Sequence, residues 1–90
     1  METIENAQNL KTDSMRIVGT KRVLRALDAG KVKEAYIADD ADLILTQRVV
    51  DRCYAQGIPC RHVATMKELG VQCGIEVKAA AACLLKEAQA

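Results

Sequence analysis

Residues 19–40 read GTKRVLRALDAGKVKEAYIADD, and this stretch predicts a helix followed by a buried strand. Apolar residues at helical spacing in its first half predict a helix that begins at Thr20 and ends at Gly30. The run AYIA at 35–38 lies between charged residues, which is typical of a central buried strand. The sequence RIVG at 16–19 predicts a short strand before the helix. This order of strand, helix and strand indicates an α/β layered domain.

The segment after the central strand, residues 39–57 (DDADLILTQRVVDRCYAQG), predicts a helix of about four turns that ends at Gly57. Three apolar residues recur every four positions on its expected buried face, and three more flank them: Leu45, Val49 and Cys53, then Leu43, Val50 and Tyr54. Its start carries three carboxylates, which the positive end of a helix dipole favours: Asp39, Asp40 and Asp42.

Further along the chain, helix and strand continue to alternate. Residues 58–64 (IPCRHVA) predict a strand with the only proline near its beginning, where a strand tolerates one. Residues 65–74 (TMKELGVQCG) predict a helix, because Thr65 and Glu68 have the spacing of a capping box. Two residues of this helix are expected to face inward: Leu69 and Cys73.

The two ends of the chain have weaker patterns. Residues 1–10 are polar, with a helical spacing of apolar residues that predicts a short amphipathic helix. The tail from Gly74 leaves two alternatives open. Its alanines favour a helix, whereas the run ACLL is equally typical of a last buried strand. We expect a single domain, with residues 1–14 as the N-terminal helical segment, 15–85 as the core and 86–90 as a tail.

The composition restricts the kind of core and the compartment. Of the 90 residues half are hydrophobic, but Phe and Trp are absent and Tyr occurs twice, so the core must be aliphatic. A module that stacks bases on several sheet aromatics is therefore excluded. The chain has no apolar N-terminal run and no segment of about 18 apolar residues, so we expect a cytoplasmic protein without a membrane partner. Its four cysteines include no CxxC motif, which favours reduced thiols, although their even number leaves disulfides open.

Positive charge is concentrated in one segment. Residues 11–33 contain seven lysines and arginines against two aspartates, a net charge of +5, whereas the whole chain has a net charge of +1. Lys21, Arg22 and Arg25 lie in the opening turns of the first predicted helix, the end at which a helix dipole disfavours cations. The crowding of these cations costs about 1 kcal/mol in total. Such a local excess of cations suggests a surface that faces an anion.

Two other groups of polar side chains have a catalytic or metal-binding interpretation. The carboxylates at 39, 40 and 42 follow a strand and are suitable ligands for Mg²⁺, but helix capping explains them more simply. Cys60 and His62 share one face of a predicted strand, as a nucleophile and its base or as half of a metal site. No second cluster completes either arrangement, so packing is favoured. We therefore expect no enzyme activity, no metal and no cofactor.

The first predicted helix and the tail contain the candidate binding residues. A Gly19–Thr20 turn that opens a helix presents backbone N–H groups to an anion, and the cations beside it add to that attraction. No phosphate-binding loop motif such as GxGxxG accompanies the turn. The charge pattern fits a solvated basic face equally well. Residues 74–80 (GIEVKAA) are, taken alone, a turn that completes the core.

Together, these two stretches resemble the L7Ae and L30e superfamily of ribosomal proteins, which bind kink-turn RNA. The similarity is greatest to its small bacterial members. The matching segments are GTKRVLRALDAGKVKEAYIADDAD, QGIPC and MKELGVQCGIEVKAAAACLL, so that the resemblance covers residues 15–85. Neither the G-T-x-x-x-x-[KR]-A half nor the GIEV half is specific by itself.

The resemblance implies a three-layer α/β/α sandwich around a four-stranded mixed sheet, with a short helix after GIEV and a last strand at 81–85. It implies a non-enzymatic protein that binds RNA bent at a three-nucleotide bulge beside tandem sheared G·A pairs. The partner would be structured RNA, in ribosomal RNA or an mRNA leader, and not DNA. An alternative is a structural component of the large ribosomal subunit that acts in assembly. The RNA-binding residues carried over from the family are Gly19, Thr20, Lys21, Arg22, Arg25, Gly74, Ile75, Glu76 and Val77.

This chain departs from the family pattern at two positions. Bacterial members usually have Gln where this chain has Arg22, and archaeal and eukaryotic relatives have Glu. Because arginine only donates hydrogen bonds, the substitution is expected to shift base discrimination and to increase the phosphate contribution. Leu43 occupies the place of a family proline, which affects only local turn geometry.

Overall fold

The computed structural model describes residues 15–75 and 77–86. Its elements are β1 (Arg16–Val18), α1 (Thr20–Asp28), β2 (Val32–Ala38), α2 (Leu43–Gln56), β3 (Cys60–Val63), α3 (Met66–Gln72) and β4 (Ala81–Leu85). The helix predicted in the first fourteen residues lies outside this range, as do Glu76 and the last four residues. Within the described part of the chain, no helix has the length and apolar character needed to cross a membrane.

The four strands form one mixed sheet in the order β1-β4-β2-β3. Strand β4 is antiparallel to both β1 and β2, and β2 is parallel to β3. Strands β1, β2 and β3 therefore run in the same direction, and each is followed by a helix. We call the edge of the sheet at which β1, β2 and β3 end the carboxyl edge. The three described helices and the antiparallel strand β4 all begin there. In open α/β sheets, ligands bind outside this edge.

Helices cover both faces of the sheet, so the molecule has three layers. Side chains alternate between the two faces along each strand. One face packs under α1 and α2 through buried residues that include Val23, Leu27, Val49, Cys53, Ala35, Ile37, Ala81 and Cys83. The other packs under α3 through Leu69, Cys73, Tyr36, Ala38, Ala82 and Leu84. The predicted α/β/α fold class is thus confirmed, as is the inward position of Leu69 and Cys73.

Helices α2 and α3 begin at residues whose side chains cap them. The Asp42 carboxylate accepts hydrogen bonds from the N–H groups of Ile44 at 2.8 Å and Leu45 at 3.4 Å. The Thr65 hydroxyl oxygen accepts from the N–H of Glu68 at 3.0 Å, at the spacing that the sequence predicts. Each cap satisfies N–H groups that a helix start leaves without an intrahelical partner.

Removal of the Asp42 cap is expected to lower the stability of the fold measurably. Asp42→Ala should lower the free energy of unfolding by about 1 kcal/mol, because the N–H groups of Ile44 and Leu45 lose their acceptor. Urea denaturation followed by circular dichroism measures this change. Asp51→Ala is the matched control, since Asp51 lies on the exposed face of the same helix and, among the described residues, accepts from the Gln47 side chain and caps no helix. An equal loss in both variants would contradict the capping role.

The predicted buried face of α2 is wrong at one position, Leu45, and two of the residues expected to flank that face are mostly exposed. Val49 and Cys53 are buried as predicted, but the third fully covered position is Thr46 and not Leu45. The Thr46 hydroxyl donates to the Asp42 carbonyl oxygen at 3.1 Å, so this polar group is buried with a partner. Leu45 lies at the flank with 38 % of its surface exposed, and two further residues are mostly exposed: Leu43 and Tyr54.

The short helix that the resemblance implies after GIEV is also not found in the described residues 77–80, which are irregular. Their backbone groups bond to neighbouring elements instead. The Ala79 N–H donates to the Met66 carbonyl at 3.0 Å, and the Ala80 carbonyl accepts from the Ala38 N–H at 2.9 Å. Because these groups are already paired with α3 and β2, no helical hydrogen bond is needed to satisfy them. The last strand is Ala81–Leu85, which settles the alternatives that the tail left open.

Candidate nucleic-acid interface

The start of α1 is attached to the sheet through Gly19. This residue has φ 112° and ψ 135°, a conformation that glycine adopts readily. Its N–H donates to the Ala81 carbonyl at 2.9 Å, and its own carbonyl accepts from the Val23 N–H at 2.9 Å. The glycine thus joins the end of β1, the first turn of α1 and the first residue of β4.

Helix α1 begins without the caps of the other two helices. Its N-cap residue, Gly19, has no side chain to accept from the first N–H groups of the helix, and the first turn contains no acidic residue. The first backbone N–H groups of a helix have no intrahelical acceptor, and together they carry a partial positive charge. This uncapped start at the carboxyl edge is a favourable place for an anion.

Three cations surround this helix start. Lys21, Arg22 and Arg25 are exposed, and no carboxylate among the described residues forms an ion pair with them. Other arginines of the structure are paired: Arg52 Nε lies 2.8 Å from Asp28 Oδ1, and Arg61 bonds to Glu34. The cations of α1 therefore keep their charge available to a partner outside the chain.

The segment after α3 lies beside this basic helix start. Ile75 and Arg22 line one recess of about 330 Å³ together with Arg16 and Val18 of β1. Two predicted site residues more than fifty positions apart in the sequence are thereby brought together. Val77 is 69 % exposed and contributes apolar surface to the same segment. Gly74 precedes it at the turn that ends α3, and Glu76 lies outside the described residues.

The position of this segment depends on Gly70, which the sequence interpretation missed. A Cβ atom at Gly70 would lie 2.2 Å from the Val77 carbonyl oxygen, so only glycine allows α3 and the segment to approach this closely. The Ile75 N–H also donates to the Gly70 carbonyl at 3.1 Å. The signal that could have found it is a glycine inside a helical pattern, which often marks close packing.

The aspartates that follow β2 contact three different partners. Asp42 caps α2, Asp40 accepts from the Met66 N–H at 2.7 Å, and Asp39 Oδ1 lies 2.7 Å from His62 Nδ1. Each carboxylate is thus engaged separately, and the described residues contain no group of three ligating side chains that could hold a metal ion. The simpler interpretation of these aspartates is helix capping, and it accounts for Asp42 at the start of α2. Asp40 likewise accepts a hydrogen bond from the first residue of α3.

Cys60 and His62 do not form a nucleophile–base pair. The His62 ring contacts Asp39, whereas Cys60 packs against the buried residues under α1 and α2. Burial and, to a smaller degree, the neighbouring Cys53 together raise the pKa of Cys60 to about 12, so the thiol stays protonated at neutral pH. Cys73 and Cys83 are buried with raised pKa values as well, about 11 and about 12. All four cysteines are free thiols in the structure.

Solved structures with this fold include an RNA-binding protein. The chain superposes on the Giardia lamblia 15.5kD RNA binding protein with a TM-score of 0.84 at 22% sequence identity, over 96% of this chain and 72% of that one. It also superposes on a protein of unknown function from Bacillus halodurans with a TM-score of 0.78 at 19% identity, over 89% of this chain and 80% of that one. At these identities the similarity shows the shared fold.

Sequence comparison identifies closer relatives. An RNA-binding protein of Bacillus pumilus is 44% identical over 69 residues, which cover 77% of this chain and 84% of the relative. One from Caldanaerobacter subterraneus is 43% identical over 67 residues, covering 74% and 82%. The model of the ribosomal protein L7Ae/L30e/S12e/Gadd45 family matches residues 2–90. The chain therefore belongs to the L7Ae/L30e/S12e/Gadd45 family, and its bacterial relatives are RNA-binding proteins.

Proposed function

We propose that this protein binds kink-turn RNA and catalyses no reaction. The observation that carries the proposal is the recess in which Arg22, at the uncapped start of α1, meets Ile75 of the segment after α3. One side of this recess attracts phosphates and acceptor groups, and the other offers apolar surface. Kink-turn RNA presents both kinds of partner at one place, since it has a bent backbone and unstacked nucleotides.

The geometry of RNA explains why a bent RNA suits this surface better than a straight duplex. The major groove of A-form RNA is too narrow for side chains to enter. A kink opens the groove locally, so that Lys21 and Arg25 can reach guanine acceptors and nearby phosphates. Ile75 and Val77 can then cover a base that has left the stack. The proposed site comprises residues at the start of α1, namely Gly19, Thr20, Lys21, Arg22 and Arg25, and residues after α3, namely Gly74, Ile75 and Val77. Glu76 is added to it only through the family resemblance.

The experiment that tests the proposal compares two RNAs. One is a kink-turn RNA, and the other is the same RNA with both sheared G·A pairs replaced by Watson–Crick pairs. We expect the first to bind at least about tenfold more tightly, a difference of about 1.4 kcal/mol in binding free energy. Equal affinities, measured by isothermal titration calorimetry at one fixed salt concentration, would rule out kink-turn recognition.

Lys21→Ala and Arg25→Ala are each expected to weaken kink-turn binding about tenfold, because each removes a charge-assisted contact. The dependence of affinity on salt should become less steep in both variants, since fewer phosphates are neutralised. Lys33→Ala is the matched control. Lys33 is exposed near the beginning of β2, away from the carboxyl edge. A similar loss in all three variants would indicate nonspecific attraction by net charge.

Arg22→Gln tests the departure from the family pattern. Gln restores a hydrogen-bond acceptor and removes one positive charge. We expect the slope of log affinity against log salt to become less steep by about 0.7–0.9, the contribution of one phosphate, and the preference for G·A pairs to increase. Arg48→Gln, at an exposed position of α2, should change neither quantity. An unchanged slope in Arg22→Gln would show that Arg22 contacts no phosphate.

The ribosomal family supports a second candidate, a structural component of the large ribosomal subunit that acts in assembly. Its RNA would then be ribosomal RNA, whereas a free RNA-binding protein would bind another cytoplasmic RNA such as an mRNA leader. Co-sedimentation with large subunits in high salt distinguishes the two. Loss of the protein from the subunits at high salt favours the free RNA-binding protein.

A further inference from the structure

A second groove is formed in part by the segment after α3. It has a volume of about 530 Å³ and is lined by Lys67, Val71, Ile75, Val77 and Lys78. Lys67 and Val71 are one helical turn apart on α3, and the other three residues belong to the segment that Gly70 allows to approach the helix. The groove therefore lies between α3 and this segment.

The groove is continuous with the proposed RNA site through one shared residue. Ile75 lines both the groove and the recess that contains Arg22. An RNA strand that crosses Ile75 from the recess enters the groove directly. It then has apolar surface on one side, since Val71 is 60 % exposed and Val77 is 69 % exposed.

The charges of the groove also favour RNA. Lys67 and Lys78 are exposed, and no carboxylate among the described residues forms an ion pair with them. The nearest acidic neighbour in the sequence of α3, Glu68, lines a different recess with Arg61 and His62. The described lining of the groove is thus cationic at two positions and apolar at three, without an acidic residue.

We propose that this groove binds a single-stranded RNA segment that continues from the bulge of the kink, a role that rests on the proposed kink-turn function. Lys67 and Lys78 neutralise phosphates of this segment. Val71 and Val77 contact its sugars and bases. A groove of this size, with two separated cations beside apolar side chains, suits an unpaired strand and not a paired duplex. The protein would then read the strand beyond the kink as well as the kink itself.

The first test measures the salt dependence of binding. The probe is a kink-turn RNA whose bulge is lengthened by three uridines. In the double variant Lys67→Gln, Lys78→Gln, we expect the slope of log affinity against log salt to become less steep by about 1.4, since each phosphate contact of a single strand contributes about 0.7. The double variant Lys31→Gln, Lys33→Gln makes the same change of charge near the opposite edge of the sheet and should leave the slope unchanged. Equal slopes in the two double variants would overturn the proposal.

The second test uses the exposed position on α3. Val71→Glu places a negative charge in the groove and should weaken binding of the lengthened RNA at least about tenfold relative to Val71→Gln. Equal affinities of these two variants would also overturn the proposal.

Failure of the kink-turn function gives a different result. The wild-type protein would then bind the kink-turn RNA and the version with Watson–Crick pairs equally. If the wild-type protein binds both RNAs equally and the slope in Lys67→Gln, Lys78→Gln is still reduced on both, the groove remains an RNA site and recognition of the kink is rejected.

Discussion

Gly70→Ala is expected to lower both the stability of the fold and its affinity for RNA. The added Cβ would lie 2.2 Å from the Val77 carbonyl oxygen, and a backbone atom cannot move aside by rotation of a side chain. We expect this clash to cost about 3 kcal/mol. Alanine recovers about 1 kcal/mol through its higher helix propensity, so the net loss is about 2 kcal/mol.

The same clash displaces the segment that carries Ile75 and Val77. Affinity for kink-turn RNA should therefore fall at least about tenfold at a temperature at which the variant remains folded. Urea denaturation and calorimetric titration measure the two effects. Gly57→Ala is the control for affinity only, because Gly57 follows α2 at the edge away from the RNA site, although its positive φ of 68° makes alanine cost stability there as well. A Gly70→Ala protein with wild-type stability and affinity would contradict the close approach.

Gly19→Ala is expected to reduce RNA binding through the backbone alone. No atom lies within 4 Å of the added Cβ, but φ of 112° is strained for any residue with a side chain. The strain costs about 2 kcal/mol, or else the first turn of α1 rearranges. Rearrangement moves the uncapped N–H groups away from the recess, so we expect affinity to fall at least about tenfold.

The Gly57→Ala control separates the two consequences of this strain. Gly57 also has a positive φ, 68°, so alanine at that position is strained too. Both variants should lose stability, but only Gly19→Ala should lose affinity. If Gly57→Ala weakens RNA binding to the same degree, the effect of Gly19→Ala reflects stability and not the geometry of the α1 start.

The elements with strong local signals were predictable from the sequence. Helix α3 begins at the Thr65 cap that the T-x-x-E spacing indicates, and α1 follows the apolar pattern that ends before Gly30. Strand β4 was predictable only through the family resemblance, which implies a strand at 81–85. Its local pattern left helix and strand open, because its alanines favour a helix in isolation. Its position between β1 and β2, with Ala81, Ala82 and Cys83 fully covered, overrides that propensity. Small side chains suit a central strand with helices packed on both faces.

The candidate site was predictable only in part. The cations of α1 stood out because they oppose the helix dipole, but their charge pattern alone fitted a solvated surface equally well. The contact of Arg22 and Ile75 with one recess depends on the order of the strands, which no local pattern encodes. The error at Leu45 has a local cause. A threonine that satisfies its hydroxyl within the helix takes the buried position that hydrophobicity alone assigns to leucine.

The central position of β4 makes the proposed RNA site depend on a late part of the chain. Strand β4 is the last strand that the structure describes, yet it is the neighbour of β1 in the sheet. Until Ala81 has been made, Gly19 lacks the carbonyl that holds the start of α1. A nascent chain that carries all the cations of α1 therefore still lacks the assembled site. From the order of the strands we therefore expect the proposed site to be complete only after β4 has been made and has paired with β1.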